Sequence, residues 1–171
     1  VTSRHADLAQ LQGGAHVLLA PTVNLHRTPT GGRNFECYSE DPFLTARMAA
    51  AYVRGVQSEG VAACTKHLVA NDSETERFTV SSEVDERTLR ELYLVPFEAA
   101  LVEAGSWSVM GAYNKLWGIH CCEHPWLLTD LLAEEWGWDG AVVSDWLATH
   151  STAEAVDAGL DVEMPGPALE R

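Results

Sequence analysis

Gly140-Ala141-Val142-Val143-Ser144-Asp145-Trp146 runs small and β-branched residues into a hydroxyl, a carboxylate and an indole. A short apolar run of this kind is what a strand buried on both faces of a parallel sheet looks like, and it puts the polar trio at the strand's C-terminal end. In barrels and doubly wound α/β folds that end carries the site, because its loops vary while the sheet holds their roots. Asp145 is therefore a candidate for chemistry. It has one competing use, as the N-cap of the helix that follows, a common place for Asp after a strand.

The rest of the chain repeats the same alternation. Residues 16–21 read as a strand and lead into a polar, Gly-rich loop over 24–40. Asp41-Pro42 then opens a helix with a capping carboxylate and a proline at its first position, apolar to Val56 and stopped by Gly60. Residues 61–65 form the next strand, ending in Lys66-His67. A loop over 71–82 precedes a helix over about 83–104, with Ser82 as N-cap and Asp85 at the capping-box position. Residues 107–112 read as a strand ending in Tyr113-Asn114, and 125–136 as a helix before Gly137. After the opening strand come a helix near 152–158 and a last strand over 161–165.

Five strand candidates separated by helices imply an α/β fold with a parallel sheet and right-handed crossovers. Periodicity alone leaves an open sheet and a barrel segment equally available. The strand ends favour the barrel: Asn24, Lys66-His67, Tyr113-Asn114, Asp145-Trp146 and Glu163 would converge on one rim if the strands are adjacent. The expected architecture is a partial (β/α)8 barrel of about five βα units.

Bulk properties exclude several classes. The 171 residues are 46 % hydrophobic, enough for one buried core. A formal charge of −14 opposes nucleic acid and anionic membranes as partners. No run of about 18 apolar residues and no charged leader with an apolar core is visible. The chain begins at Val1, so the compartment stays open, with the cytoplasm favoured. Cys37, Cys64, Cys121 and Cys122 form no CxxC pair and read as reduced thiols, and the seven histidines show no ligand spacing, so neither a metal nor another cofactor is implied.

Each chemically capable residue has a plainer reading beside it. Lys66 and His67 follow a buried strand, as a surface loop or as pocket groups. Alternation points them apart unless the backbone bends. Arg33 and Glu36 form an ordinary ion pair, or Arg33 offers its planar fork of donors to ligand hydroxyls. Tyr113 is a buried phenol with a satisfied hydroxyl, or it orients a carboxylate. Trp146 is core packing, or a platform for the apolar face of a sugar. The charged loop of Asp72, Glu74, Glu76 and Arg77 reads as solvated or self-paired.

Taken in series, these segments resemble a known family. Gly32-Arg33-Asn34-Phe35-Glu36 with Ser39-Glu40-Asp41-Pro42, Lys66-His67-Leu68-Val69-Ala70-Asn71-Asp72 with Glu76-Arg77, Asp85-Glu86-Arg87-Thr88-Leu89-Arg90-Glu91, Met110-Gly111-Ala112-Tyr113-Asn114, Val143-Ser144-Asp145-Trp146 and Asp161-Val162-Glu163-Met164-Pro165 are similar, in order, to glycoside hydrolase family 3. The likeness is closest to its β-glucosidase branch and covers nearly the whole chain. It implies an N-terminal (β/α)8 domain, a retaining mechanism with Asp145 as nucleophile, and a sugar pocket of Arg33, Lys66, His67, Met110, Tyr113 and Trp146. The implied substrate is a β-glucoside or oligosaccharide, with no cofactor.

The resemblance also marks departures. Residues 1–171 correspond to part of the family's N-terminal domain, beginning before its third strand. The aspartate that grips the sugar's distal hydroxyls, the second α/β domain and the acid/base glutamate that domain supplies all lie outside. Leu68 stands where Phe is usual, and Leu68-Val69-Ala70-Asn71-Asp72 differs from the segment of the branch that uses a loop His-Asp pair as acid/base. The expectation is a fragment of a β-glycosidase, completed by the remainder of its own chain and inactive alone. β-Xylosidase or another family exo-glycosidase, or an idle carbohydrate-binding fragment, are the alternatives.

Overall fold

The computed structural model describes residues 14–166. In chain order it contains β1 (Val17–Leu18), α1 (Pro42–Gln57), β2 (Ala62–Leu68), β3 (Ser81–Ser82) and α2 (Glu86–Thr88). These are followed by α3 (Val95–Glu98), β4 (Ser108–Gly111), β5 (Lys115–Leu116), β6 (Ile119–His120), β7 (Ala141–Ser144) and α4 (Ala153–Ala158). Helical turns with π spacing cover Leu89–Tyr93, Ala99–Glu103 and Trp126–Glu135.

The main sheet is parallel throughout, in the order β1-β2-β4-β7. A bridge from Val143 to Val162 adds the next segment on the far side of β7. The order follows the sequence without reversal, whereas a doubly wound sheet turns back at a switch point. This is the winding of a barrel arc, with helical segments between its strands as the alternating pattern predicts.

β2 is buried at every position but Lys66, as a strand covered on both faces must be. It extends past the predicted end at residue 65 to Leu68, so Lys66 and His67 lie within the strand and not in a loop after it. Lys66 stays in the ladder because its N–H donates to Pro21 O at 2.9 Å and its carbonyl accepts from Val23 N at 2.8 Å. The register against β4 shifts between Lys66 and Leu68. Such an irregularity re-aims side chains locally.

α1 starts as the sequence predicts. Asp41 Oδ1 accepts from Phe43 N at 2.8 Å and from Leu44 N at 3.4 Å, with Pro42 in the first turn. Ala46, Ala49, Ala50, Val53 and Val56 form its buried face. The helix stops at Gln57 with Ser58 as its cap, ahead of Gly60, whose φ of 75° suits a residue without a side chain.

The expected helix over 83–104 differs in detail. Asp85 is its N-cap, accepting from Thr88 N at 2.9 Å, while Ser82 belongs to β3 and donates its hydroxyl to Ala70 O at 2.9 Å. Pro96 lies in the α-spaced turn, where Glu98 N donates to Leu94 O at 2.9 Å, and the turns on either side are π-spaced: Leu94 N donates to Leu89 O at 2.9 Å and Ala104 N to Ala99 O at 3.0 Å. The predicted strand over 161–165 is only the single bridge at Val162. The small sheet β3-β5-β6 has no counterpart in the sequence reading, because two-residue strands carry no period.

Helical side chains close the core. Val53 of α1, Phe97 of α3, and Leu101, Leu127 and Leu131 from the π-spaced turns pack with Val23 and Leu68 beside the sheet. A cleft of about 450 Å³ bounded by Trp107, Trp136, Trp138 and Gly140 lies at the N-terminal ends of β4 and β7, the end that in barrels serves stability. Phe97 is 1 % exposed, so Phe97→Ala is expected to cost about 3–5 kcal/mol. Denaturant unfolding of the wild type and the variant checks this; a loss below 1 kcal/mol would mean Phe97 does not anchor the core.

Candidate active site

Asp145 follows the last residue of β7, and its backbone is tied on both sides. Its N–H donates to Gly111 O of β4 at 3.2 Å and its carbonyl accepts from Ala148 N at 3.1 Å. The next helix begins at Ala153 after Thr152, so Asp145 caps no helix. Oδ1 accepts from the adjacent Trp146 N at 2.7 Å. Oδ2 is buried and lies 3.5 Å from His67 Nε2.

His67 is 2 % exposed and is held from behind by Asn24. The Asn24 amide pairs with the His67 main chain on both sides of its Cα: Oδ1 accepts from His67 N at 2.9 Å and Nδ2 donates to His67 O at 2.9 Å. Asn24 Oδ1 also lies 3.2 Å from the ring Nδ1. Burial, reinforced by the positive charges of Arg33, Lys66 and Arg77, pushes the His67 pKa well below its ordinary value, so the ring is neutral near pH 7.

Arg33 and Lys66 meet at Glu36, whose reading as a simple partner of Arg33 is too narrow. Glu36 Oε1 accepts from Arg33 Nε at 2.5 Å, and Oε2 accepts from Thr22 Oγ1 at 2.7 Å and faces Lys66 Nζ at 3.7 Å. Burial raises the Glu36 pKa, but the hydrogen bonds from Arg33 and Thr22 and the two cations outweigh it and hold the carboxylate below its usual value. Desolvation acts against the Arg33 charge too, and Glu36 reverses it, with Glu74 and Asp145 adding to the effect. One carboxylate thus keeps two cations aligned near a second one.

Tyr113 is 5 % exposed, and burial together with the Asp145 carboxylate pushes its phenol up to about 12. The phenol therefore keeps its proton and remains a donor. Arg77 lies over the Tyr113 ring at 4.5 Å and Phe78 packs against it at 4.6 Å between centroids. Arg77 does pair with Glu74, at 2.7 Å, as the self-paired reading of that loop predicts. Its stacking on Tyr113 was not legible, since a cation over a ring in a distant segment leaves no local pattern.

The remaining candidates fall beside these. Met110 is 2 % exposed in β4, in register with Lys66, and Trp146 next to Asp145 is half exposed. Arg33, Lys66, His67, Met110, Tyr113, Asp145 and Trp146 are thus joined by strand register, direct contact or shared charge at one end of the sheet. Sequence reasoning missed Thr22 and the bridging part of Glu36. No cluster of three metal-ligating side chains occurs among the described residues.

Asp72, at the end of the segment after β2, has a buried Oδ1 without a hydrogen bond. Burial raises its pKa to about 6 despite Arg27 and a backbone hydrogen bond from Leu25. A carboxyl group raised in the folded state favours folding below its unfolded pKa, near 4, and loses that contribution as pH rises through about 6. Asp72→Asn is therefore expected to gain melting temperature over wild type at pH 8 and to show little gain at pH 4. Thermal unfolding at the two pH values checks it; an equal difference at both would remove Asp72 as the titrating group.

The sequence matches the family described as Glycosyl hydrolase family 3 N terminal domain over residues 4–169. A Beta-glucosidase of Rhizobium radiobacter is 66 % identical over 158 residues, covering 92 % of this chain and 19 % of that protein. Beta-glucosidase B of Emericella nidulans is 58 % identical over 154 residues, covering 90 % of this chain and 18 % of the relative. Among solved structures, beta-glucosidase 3B from Thermotoga neapolitana in complex with glucose superposes with a TM-score of 0.92 at 51 % identity, covering 96 % of this chain and 23 % of that one. Beta-glucosidase from Kluyveromyces marxianus in complex with glucose gives 0.92 at 44 %, covering 98 % and 20 %. The chain spans about a fifth of the length of these proteins. With its parallel sheet wound in sequence order and its sequence matched nearly from end to end, the chain belongs to glycosyl hydrolase family 3.

Proposed function

We propose that this chain is part of a retaining β-glucosidase that removes terminal, non-reducing β-D-glucosyl residues, with Asp145 as the nucleophile. The observation that carries the reading is the Asp145 carboxylate itself: it sits at a parallel strand's C-terminal end, caps no helix, and has a buried Oδ2 facing His67 Nε2. The β-glucosidase names of the relatives supply the sugar. Among the described residues no helix is long and apolar enough to cross a membrane.

In this reading an Asp145 oxygen attacks the anomeric carbon as the bond to the aglycone oxygen breaks. A second carboxylic acid gives its proton to that leaving oxygen. It then takes a proton from water as the water displaces Asp145 from the anomeric carbon, which restores both groups and yields glucose. Retention requires the two carboxyl groups about 5–5.5 Å apart. Glu36 is engaged by Arg33, Thr22 and Lys66, and, as the family resemblance implies, we assign the acid/base role to a carboxyl group outside residues 1–171. The 171 residues alone are then without efficient turnover.

Arg33 and Lys66 offer donors to sugar hydroxyls, Tyr113 keeps a phenolic proton beside Asp145, and the half-exposed Trp146 indole offers an apolar face to the ring. Such contacts raise the rate where they strengthen as positive charge grows on the ring.

Exposure of the complete protein to a 2-deoxy-2-fluoroglucoside, followed by peptide mass mapping, tests the reading. A glycosyl label on the peptide containing Asp145 is expected. A label on another residue, or none from either the glucoside or the corresponding xyloside with the protein folded, would remove Asp145 as nucleophile, and a label on the Asp145 peptide from the xyloside alone would change the sugar. Glu36→Gln leaves Arg33 and Lys66 short of one negative charge, and kcat/KM for a nitrophenyl glucoside is expected to fall about ten- to a hundredfold. Unchanged kinetics would mean Glu36 does not align the two cations.

A further inference from the structure

Asn24 lies on the segment after β1, 43 positions before His67, and its amide is oriented by the His67 peptide and not by the ring. Its oxygen must face the peptide N–H and its NH2 the peptide carbonyl. The reverse orientation would set donor against donor and acceptor against acceptor in a buried place, where unpaired polar groups are costly. The same Oδ1, with its second lone pair, lies 3.2 Å from the ring Nδ1. A lone pair on Nδ1 would repel it, whereas a proton there is accepted. The ring is neutral, so it has one proton to place. Nδ1 is within hydrogen-bond distance of its acceptor, whereas Asp145 Oδ2, 3.5 Å from Nε2, lies beyond an ordinary N–H···O bond and has no hydrogen-bond partner, so the proton belongs on Nδ1 and Nε2 is left bare.

We propose that Asn24 is a positioning residue that fixes His67 as its Nδ1–H tautomer, so that Nε2 presents a lone pair to a substrate hydroxyl beside Asp145. The substrate part rests on the glucosidase reading above; the tautomer does not. The chemical consequence is polarity. A proton on Nε2 would point at Oδ2 and engage the carboxylate that attacks the sugar. A bare Nε2 leaves that carboxylate available and takes its hydrogen bond from the sugar, so a ligand group at this point has to be a donor. Arg33 and Lys66 are the opposite case, since both only donate. The pocket thus faces the sugar with donors on the Glu36 side and with acceptors at Nε2 and Oδ2.

The test is the 15N spectrum of the complete protein with labelled histidine at neutral pH, His67 being assigned by the signals lost in His67→Gln. Nδ1 is expected in the range of a protonated ring nitrogen and Nε2 in that of an unprotonated one. A proton on Nε2, alone or with one on Nδ1, would overturn the proposal even if neither Asn24 variant folds. Turnover does not enter this readout: an Nδ1–H ring in a protein without glucosidase activity would leave the tautomer standing and sink the functional reading. Asn24→Leu removes the acceptor. It is expected to move the proton toward Nε2 and to lower kcat/KM about ten- to a hundredfold, whereas Asn24→Asp, which keeps an acceptor, retains the proton on Nδ1. A pure Nδ1–H ring in Asn24→Leu would show that Asn24 does not set it.

Discussion

The arrangement depends on the main-chain pairing of β2 with the segment after β1 on one side and with β4 on the other. Cys64 N donates to Ala20 O, Lys66 N to Pro21 O, and Val23 N returns a bond to Lys66 O. On the other side Ala112 N donates to Leu68 O at 2.7 Å, past the register shift. These bonds decide where residues 66 and 67 project, and every polar group of the site is placed relative to them. Lys66 reaches Glu36, His67 turns to Asp145, and Asn24 closes on the peptide of His67 from the neighbouring segment.

Charge follows from that placement. The chain carries a large negative excess, yet three cations bear on one ring beside Asp145: Arg33, Lys66 and Arg77 all lower the affinity of His67 for a proton. Glu36 lets two of them share one partly buried place, because an ion is retained out of water only when a partner and hydrogen bonds compensate for lost hydration. The imidazole is the group that gives way, since it can become neutral where an arginine cannot.

Much of this was legible in the sequence, for identifiable reasons. The run up to Asp145 reads as a strand because Val142 and Val143 are β-branched and bounded by Gly140 and Asp145, although β7 is buried only at Val142 and Ser144 and not on both faces as expected. Asp41-Pro42 announces α1 because capping and proline geometry act within a few residues. What escaped is what acts between segments or without a period. Glu36 looked like the partner of Arg33 three positions away, and its bond to Thr22 and approach to Lys66 exist only once β1 and β2 are side by side. The π-spaced turns flanking Pro96 left no mark in the sequence pattern, and Ser82 yielded its capping role to Asp85 because a short strand had already engaged it.

The Asn24 amide bonds the backbone N–H and C=O of residue 67, groups that every residue carries except that proline lacks the N–H. Backbone conformation and ring chemistry are therefore separable at this point. Replacing the imidazole would leave in place the two bonds from Asn24 to the backbone of residue 67. Position 67 is in that sense a socket whose backbone is specified by a neighbour, independently of the side chain it carries.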